Sequence, residues 1–438
     1  MGGGVLVERK KSVALIARAV CATLLIGGGG RAGSASAQMS AGRFGAQSVL
    51  ERTRPDYDPI GLRLGTFTIL PSLDANTGYD SNVRALQSPV LDDLIFTLRP
   101  AVVARSNWSR NAVTVRASSD IQRFVDRPVE NAEQYQIGAD GRFDIGSRTH
   151  LVADARVGRL IEARGSTGDT ALDGEPVNFM DYHFGTGADH DFGPLLTRAS
   201  FTFDEFRYGD RKAAGGRKVD NSQRNYRSIL GDIQFTLPVA PAAGVFVRGT
   251  VNTADYINEP AGPSGDSTSY SALTGIAFGV TPLLYGSIGI GYFAQTYREP
   301  SLDGTNGLNY SAAITWNPTP LATASFTLNR ALQRAPSPTL GAITTTTGTL
   351  IADYELRRNL IVGATAGYSR NLYGLIDRTQ TQMTGSARAT YLFSRLISST
   401  LRLDYLRTRP DQASGVDSLG IGRRFDKTRI FLGMRLQL

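Results

Sequence analysis

The amino-acid sequence predicts an all-β protein, a transmembrane antiparallel up-and-down β-barrel of about 18 strands (roughly 16–18). Three observations predict this fold: polar and apolar residues alternate with period two, short and long connections alternate along the chain, and aromatic residues gather at both strand ends. No apolar run after residue 37 approaches the ~20 residues of a membrane-spanning helix. We therefore expect strands, and not helices, to cross the membrane.

The alternation is clearest at the end of the chain. Between residues 430 and 438 every even position is apolar, whereas the odd positions include Gly433, Arg435 and Gln437. Comparable stripes occur at residues 198–204, 245–252, 310–317, 322–329 and 401–405. Because a β-strand points successive side chains to opposite faces, each stripe indicates one face toward lipid and one toward a polar interior.

Connection length separates the barrel from a soluble β-sandwich, whose strands alternate too. Short connections are predicted at residues 107–110, 144–149, 191–194, 237–241, 280–283, 317–320, 357–359 and 393–395. Mostly longer, polar, glycine-rich connections are predicted at residues 165–176, 209–222, 258–268, 298–307 and 409–426. One rim would then carry periplasmic turns and the other extracellular loops, and an even strand number puts both termini in the periplasm.

Aromatic residues are sorted in the same way. Those beside the short turns are Trp108, Phe143, Phe192, Phe235, Trp316, Tyr391 and Phe393. Those toward the long loops are Tyr79, Tyr208, Tyr256, Tyr292, Tyr373 and Tyr405. Two aromatic belts are expected where a barrel meets the two lipid–water interfaces.

Residues 1–37 are typical of a secretory signal peptide. Basic residues at positions 9–11 precede an apolar stretch, and Ala35-Ser36-Ala37 fits a cleavage site with small residues at Ala35 and Ala37. We expect the mature chain to begin at Gln38, residues 38–64 to form a periplasmic tail, strap or plug, and residues 65–438 to form the barrel. The predicted location is the outer membrane of a Gram-negative cell.

Charge and cysteine usage exclude several classes of function. Residues 1–37 contain five basic residues and one acidic residue, so removing them lowers the net charge from +8 to +4. This charge is nearly balanced and no nucleic-acid motif accompanies it, so no nucleic-acid partner is expected. The single cysteine, Cys21, lies in the predicted signal peptide, which excludes disulfides and thiolate metal sites from the mature chain.

A specific motif precedes and includes the first predicted strand. Residues 52–61 read R-T-R-P-D-Y-D-P-I-G, followed by Gly65, Phe67, Pro71 and the tetrapeptide Tyr79-Asp80-Ser81-Asn82. This string resembles the start of the Putative beta-barrel porin 2 family of outer-membrane proteins, some of which are associated with exopolysaccharide production. The resemblance implies an outer-membrane location and a barrel shape, and it carries no catalytic residue.

Charged residues recur on the predicted inward face of the strands. An arginine facing lipid at mid-bilayer would cost about 2–4 kcal/mol, so a polar lumen explains their positions. The candidate lumen-lining residues are Arg99, Arg116, Asp154, Arg156, Arg198, Asp204, Arg248, Asp353, Arg388, Arg402, Asp404 and Arg435. They could set the solute preference of a pore or pair across strands and stiffen the wall, and both interpretations stay open.

The leading functional hypothesis is a porin-like channel with a polar, mixed-charge lumen, because barrels of about 16–18 strands leave an aqueous lumen. One alternative, implied by the resemblance, is an outer-membrane component of exopolysaccharide export. Another is a non-conducting structural or surface-binding barrel. The expected partners are outer-membrane lipid, lipopolysaccharide and the barrel-assembly machinery, with periplasmic polysaccharide-export components added under the export hypothesis.

No enzymatic activity, cofactor or metal is predicted. His150 and His190 fall near the predicted periplasmic rim on neighbouring strands, with Asp189 and Asp191 close in sequence. A hydrolase would need a nucleophile and a base held together, and no Ser-His-acid spacing stands out. We interpret these residues as rim histidines that face headgroups or water.

Overall fold

The computed structural model describes residues 48–258, 262–281, 283–335, 341–374, 378–411 and 422–438. The predicted signal peptide, with Ala35 and Ala37, and residues 38–47 lie outside the described residues. Eighteen long strands form one antiparallel sheet in which each strand pairs with its neighbours in the chain. The first strand also pairs with the last, so the sheet closes into the predicted barrel.

Each barrel strand contains 13 to 16 residues, more than the ~9–11 that a tilted strand needs to cross the hydrocarbon core. The strands are β1 (Phe67–Asp80), β2 (Asp93–Ser106), β3 (Ala112–Phe124), β4 (Ala132–Ile145), β5 (Thr149–Ile161), β6 (Asn178–Asp191), β7 (Leu196–Tyr208), β8 (Tyr226–Ala240), β9 (Ala243–Tyr256), β10 (Ser267–Thr281), β11 (Leu284–Tyr297), β12 (Thr305–Thr319), β13 (Ala322–Arg334), β14 (Ala342–Arg357), β15 (Leu360–Tyr373), β16 (Arg378–Leu392), β17 (Ile397–Pro410) and β18 (Phe425–Gln437).

Smaller elements lie outside the barrel wall. Leu62–Leu64 pairs with the start of β1, and Arg211–Lys212 pairs with Lys218–Val219 in a loop hairpin. Single turns of 3₁₀ helix occupy Pro128–Glu130, Ala214–Gly216 and Ser222–Arg224. No helix among the described residues is long and apolar enough to cross a membrane.

The two rims of the barrel differ as the sequence predicts. Connections of two to five residues join the strands at one end, which we call the short-turn rim. Connections of four to seventeen residues join them at the other end, the long-loop rim. Both β1 and β18 have their terminal ends at the short-turn rim, because the number of strands is even.

The outward face of the wall is apolar and accessible. On β18, Ile430, Leu432, Met434 and Leu436 are 46–55% exposed, as expected for side chains whose surroundings are lipid. The aromatic belt predicted at the short-turn rim is confirmed: its seven residues are all 40–61% exposed. The wall therefore presents the surface of a membrane protein, with interfacial aromatics at this rim.

The second predicted belt is wrong for half of its members. Tyr79, Tyr292 and Tyr405 face outward at the long-loop rim. Tyr208 and Tyr256 instead lie on the inward face: Tyr208 is opposite Phe179 in the ladder, and Tyr256 is opposite Tyr226 with the two rings tilted at 6.0 Å. Tyr373 is 1% exposed. Position near a strand end does not determine which face a residue takes, because that depends on the strand's phase.

The tetrapeptide of the family motif closes the barrel seam at the long-loop rim. The Asp80 carboxylate contacts Lys427 Nζ at 2.8 Å, and both side chains are buried. The backbone of Ser81 donates to the Thr428 carbonyl, and the Asn82 amide donates to the Asp426 and Leu86 carbonyls. These bonds join the first and last strands beyond the nine residue pairs of the β1–β18 ladder.

The other part of the motif forms a strap, residues 48–61, that leads into β1 from the short-turn rim. Val49 is fully buried, and its amide donates to Thr323 Oγ1 on β13 at 3.0 Å. Arg54 pairs with Glu355 on β14 at 2.8 Å, and the same guanidinium donates to the Val49 carbonyl. Because Thr323 and Glu355 both point inward, the strap occupies part of the lumen at this rim.

Hydrogen bonds and one glycine shape the end of the strap. Asp58 accepts a bond from the Arg54 amide, and the Pro55 carbonyl accepts one from Arg395 in the β16–β17 turn. Gly61 has φ +71°, and a Cβ there would lie 2.7–2.8 Å from Thr68 and the Ile69 carbonyl. Only glycine combines that backbone conformation with this close approach.

We expect Glu355→Gln to release the strap without unfolding the barrel. Removing one partner of a buried ion pair costs about 3–5 kcal/mol, so hydrogen exchange at the Val49 amide should accelerate by about a hundredfold or more. Amides in the β13–β14 ladder should keep their protection. Glu133→Gln, which removes an exposed ion pair with Arg123, is the matched control. Unchanged exchange at Val49 would show that the ion pair does not hold the strap.

Candidate channel and its constrictions

All twelve candidate lumen-lining residues lie on the inward face of the wall, opposite the outward apolar rows; for Asp154 and Arg156 on β5 this follows from the register with β4, whose outward residues are Tyr135, Ile137 and Phe143. Six of the twelve are arginines that contact an acid on an adjacent strand: Arg99–Asp120, Arg116–Asp140, Arg156–Asp181, Arg198–Asp189, Arg248–Asp232 and Arg435–Asp74. Arg388 contacts Asp353 across the intervening strand β15, and Arg402 lies 3.0 Å from Asp404 on its own strand. The wall is therefore lined by alternating charges of both signs.

Sequence reasoning missed several members of this charged wall. Asp74, Asp181 and Asp232 are acids that contact predicted arginines, and Arg429 contacts Asp404 at 4.0 Å. Each lies in phase with an inward residue of its own strand, so the period-two pattern contained the signal.

His183 links two of the predicted acids. Its Nδ1 lies 2.6 Å from Asp204 on β7, and its Nε2 lies 2.7 Å from Asp154 on β5. The strand register makes this possible, because His183 is directly opposite Asp204 and lies two positions from Gly185, the residue opposite Asp154. An imidazole held between two carboxylates joins three adjacent strands.

The two rim histidines are separate from one another. His150 Nδ1 lies 2.6 Å from Asp144, whereas His190 Nδ1 bonds Thr149 Oγ1 at 2.8 Å and its ring packs edge-on against Phe192. In the register, His150 lies opposite Asp189 and His190 lies opposite Thr149. Over the described ranges, no group of three or more His, Cys, Asp or Glu residues could hold a metal ion.

A loop crosses the lumen at the long-loop rim. Residues 162–177, which join β5 to β6, form this crossing loop. Thr167 Oγ1 accepts a bond from Asn371 on β15, and the Gly165 carbonyl accepts one from Gln382 on β16. Strands β15 and β16 are seven to nine positions from β5 and β6 by the shorter way around the 18-stranded barrel, where nine is the maximum, so the loop reaches the opposite wall.

A buried ion pair fixes the far end of the crossing loop. Arg423, just before β18, contacts Asp169 Oδ2 at 2.6 Å and donates to the Asp169 carbonyl at 2.9 Å. Both side chains are at most 3% exposed. Asp169 also accepts bonds from the Gly165 and Ala171 amides, so the carboxylate shapes the loop as well as anchoring it.

Further ion pairs fix the near end. Arg224, from the β7–β8 loop, contacts Glu162 at 2.5 Å, and its guanidinium lies 4.1 Å from the centre of the Tyr208 ring. Arg164 pairs with Glu130 and donates to two carbonyls of its own loop. Burial raises the pKa of the Glu162 carboxyl above its usual value, and the Arg224 cation opposes that rise. The crossing loop is therefore held by buried ion pairs, in which each desolvated charge is stabilised only by its partner.

Aromatic residues line the inward face beside the crossing loop. Phe179 lies 5.4 Å from Tyr208, Phe206 stacks on Tyr226 at 4.8 Å, and Tyr226 lies 6.0 Å from Tyr256. The Arg334 guanidinium of β13 lies 4.2 Å from the Tyr226 ring centre. An aromatic row with arginine neighbours thus runs across β6–β9 at the long-loop mouth.

The solved structures that are similar to this chain include siderophore receptors and the outer membrane protein OpdK. The siderophore receptor PirA from Acinetobacter baumannii is 7% identical, with a TM-score of 0.45 and coverage of 88% of this chain and 81% of that one. OpdK from Pseudomonas aeruginosa, solved with vanillate, is 12% identical, with a TM-score of 0.44 and coverage of 84% and 99%. These similarities are too distant to indicate a function for this protein. No curated protein matches the sequence.

The family match covers most of the chain. The sequence model of the Putative beta-barrel porin 2 family matches residues 54–438, which include the end of the strap, all eighteen strands and the crossing loop. The match begins at Arg54, the residue that pairs with Glu355 inside the barrel. This protein is an outer-membrane β-barrel that belongs to the Putative beta-barrel porin 2 family.

Proposed function

We propose that the protein is a narrow outer-membrane channel for small polar solutes, with a lumen lined by charges of both signs. The observation that carries this proposal is the crossing loop, which spans an 18-stranded barrel from β5–β6 to β15–β16. A barrel of this size has room for an aqueous path, and a loop fixed across it narrows that path without filling it. The strap forms a second narrowing at the other rim.

The orientation follows from the two rims. We infer that the short-turn rim and both termini face the periplasm, after removal of a signal peptide at Ala37, and that the long loops face outward. The partners are then outer-membrane lipid, lipopolysaccharide and the barrel-assembly machinery. A channel role needs no catalytic group, and we propose no enzymatic activity.

We expect release of the crossing loop to widen the channel. Arg423→Met removes one partner of the buried pair with Asp169, which costs the docked loop about 3–5 kcal/mol. The single-channel conductance in planar bilayers should rise by about twofold or more, because pore diameter limits conduction. Lys218→Met, which breaks an exposed loop pair with Asp210, should leave conductance unchanged.

Two outcomes of that experiment would contradict the proposal. A barrel that conducts no current in wild-type form would favour the non-conducting structural alternative. A conductance that stays constant while hydrogen exchange shows residues 162–177 released would mean that the narrowest point lies elsewhere.

Opposite charge changes at one wall pair should shift ion selectivity in opposite directions. Asp189 and Arg198 contact each other at 2.6 Å and remain partly exposed within the lumen. Asp189→Asn should raise the anion-to-cation permeability ratio roughly twofold, and Arg198→Gln should lower it similarly, because each leaves one charge on the wall. Reversal potentials measure both, with Arg407→Gln on the outward face as the control. Shifts of the same sign would refute a charge-lined path at this position.

A second candidate function is passage of a polysaccharide chain. The inward aromatic row at the long-loop mouth favours it, because aromatic faces pack against the apolar faces of sugar rings and arginines can bond their hydroxyls. In exopolysaccharide export, the role that the family resemblance implies as an alternative, the sugar rings of the polymer would pass along this aromatic row. The two candidate functions are compatible if the polysaccharide passes through the lumen beside the crossing loop.

We expect Tyr256→Ala to weaken saccharide binding in the channel. A linear glucose oligosaccharide added to a conducting bilayer should block the wild-type current, and the variant should need about tenfold more of it. Tyr270→Ala, which removes an outward tyrosine that is 52% exposed, should behave as wild type. If the oligosaccharide blocks the current equally in the wild type, Tyr256→Ala and Tyr270→Ala, or blocks none of them, the aromatic row does not bind saccharide.

A further inference from the structure

A groove runs down the outward wall in its long-loop half. It has a volume of about 670 Å³, within the ~300–1,000 Å³ typical of ligand sites. Gly231, Gly249 and Ala272 form its floor, and Val251, Tyr270 and Tyr292 form part of its walls. Its lining is almost entirely apolar, as expected for a site that takes a hydrocarbon chain.

The floor is open because two outward positions lack side chains. A Cβ added at Gly231 would meet no atom within 4 Å, and one added at Gly249 would meet only Ile233 Cγ2 at 3.9 Å. Neither glycine has a positive φ or a crowded neighbour that requires it. Glycine at these two positions therefore keeps space open on the lipid side of the wall.

Two arginines stand above the groove on the same outward face. Arg227 precedes Gly231 by four residues on β8, so its Cα lies about 14 Å nearer the long-loop rim. Its Nε contacts one oxygen of Glu205, and the Nε of Arg207 contacts the other. Both arginine side chains are more than half exposed, whereas Glu205 is mostly buried. Glu205 thus orients two guanidinium groups, each of which contacts the carboxylate through Nε.

Other charged and aromatic groups surround Arg207 and Arg227. Arg207 lies 5.8 Å from the centre of the Tyr182 ring. Asp255 lies opposite Arg227 in the ladder and pairs with Arg298, which also pairs with Asp266. Arg207 and Arg227 share the one carboxylate of Glu205, whereas Arg298 faces both Asp255 and Asp266. The cluster as a whole therefore has no net charge, and its two most accessible donors on this face of β7 and β8 are the guanidinium groups of Arg207 and Arg227.

We propose that this face binds a phosphorylated, multiply acylated glycolipid of the outer leaflet, with a phosphate at Arg207 and Arg227 and an acyl chain in the groove. Guanidinium groups bind phosphate oxygens through paired N–H donors. The ~14 Å offset between Arg227 and the groove floor suits a ligand whose anionic head and hydrocarbon tail are separated by a sugar. The inference rests on the outward orientation of the long loops proposed above.

The test measures binding of diphosphoryl lipid A to the full-length mature protein in nonionic detergent by native mass spectrometry. We expect Arg207→Ala and Arg227→Ala each to weaken binding about tenfold, since a charge-assisted bond is worth that factor or more. Gly231→Leu and Gly249→Leu, which fill the groove without strain, should weaken it similarly. Circular dichroism and heat-dependent gel mobility check that every variant is folded.

Matched controls lie on the opposite side of the barrel. Gly385 on β16 faces outward with nothing within 4 Å of an added Cβ, and Arg407 on β17 faces outward at the same rim with its side chain 49% exposed. Gly385→Leu and Arg407→Ala should bind lipid A as wild type does. Equal losses in these controls would show nonspecific binding and overturn the site.

Further measurements distinguish which molecule covers the groove: the glycolipid, an ordinary phospholipid or a second copy of the protein. Phosphatidylglycerol binding as tightly as lipid A, with the same dependence on Arg207 and Gly231, would replace the glycolipid by an ordinary anionic phospholipid and overturn the proposal. A lipid-free dimer that Gly231→Leu dissociates would show that a second copy covers this face. Bilayer conductance should be unchanged in all four site variants, so loss of the lipid site and failure of the channel function are distinguishable.

Discussion

Backbone hydrogen bonding in lipid is the constraint on which the rest of this structure depends. A strand edge exposed to hydrocarbon leaves amides and carbonyls without partners, at a cost of several kcal/mol each. The chain avoids this by pairing β1 with β18, but that ladder has only nine residue pairs, whereas β1 and β2 share fourteen. The seam is completed by Asp80, Ser81 and Asn82 at the long-loop rim.

Closure creates an interior where charge is tolerated, and the interior is organised by ion pairs at two levels. On the wall, arginines and acids of adjacent strands meet in register, which stabilises strand pairing and supplies a polar lining. Across the lumen, fully buried pairs such as Arg423–Asp169 hold a loop against the far wall. The buried pairs determine the position of the crossing loop, because an unpaired charge left at such a site destabilises the protein by more than the intact pair stabilises it.

The two interpretations of the lumen charges are therefore compatible. Pairing across strands explains why the charges are tolerated, and in the proposed channel the exposure of pairs such as Arg198–Asp189 would let them act on a passing solute. The narrow points come from elements outside the wall, the strap and the crossing loop. Both join parts of the chain that are distant in sequence, as Val49 with Thr323 and Asn371 with Thr167 illustrate.

The sequence by itself determined the barrel, because period-two alternation, alternating connection lengths and a belt of interfacial aromatics follow directly from local strand geometry and lipid contact. It also indicated the inward charges wherever a stripe was long, as at Arg435. Tertiary structure alone decided what lies inside the barrel. Tyr208, Tyr256 and Tyr373 turned inward because strand phase at a rim depends on register with neighbours. The crossing loop depends on Arg423 meeting Asp169 over 254 positions of sequence, a contact with no local signature. The barrel is thus a product of local pattern, and its constrictions are products of closure, which brings opposite walls within reach of one loop.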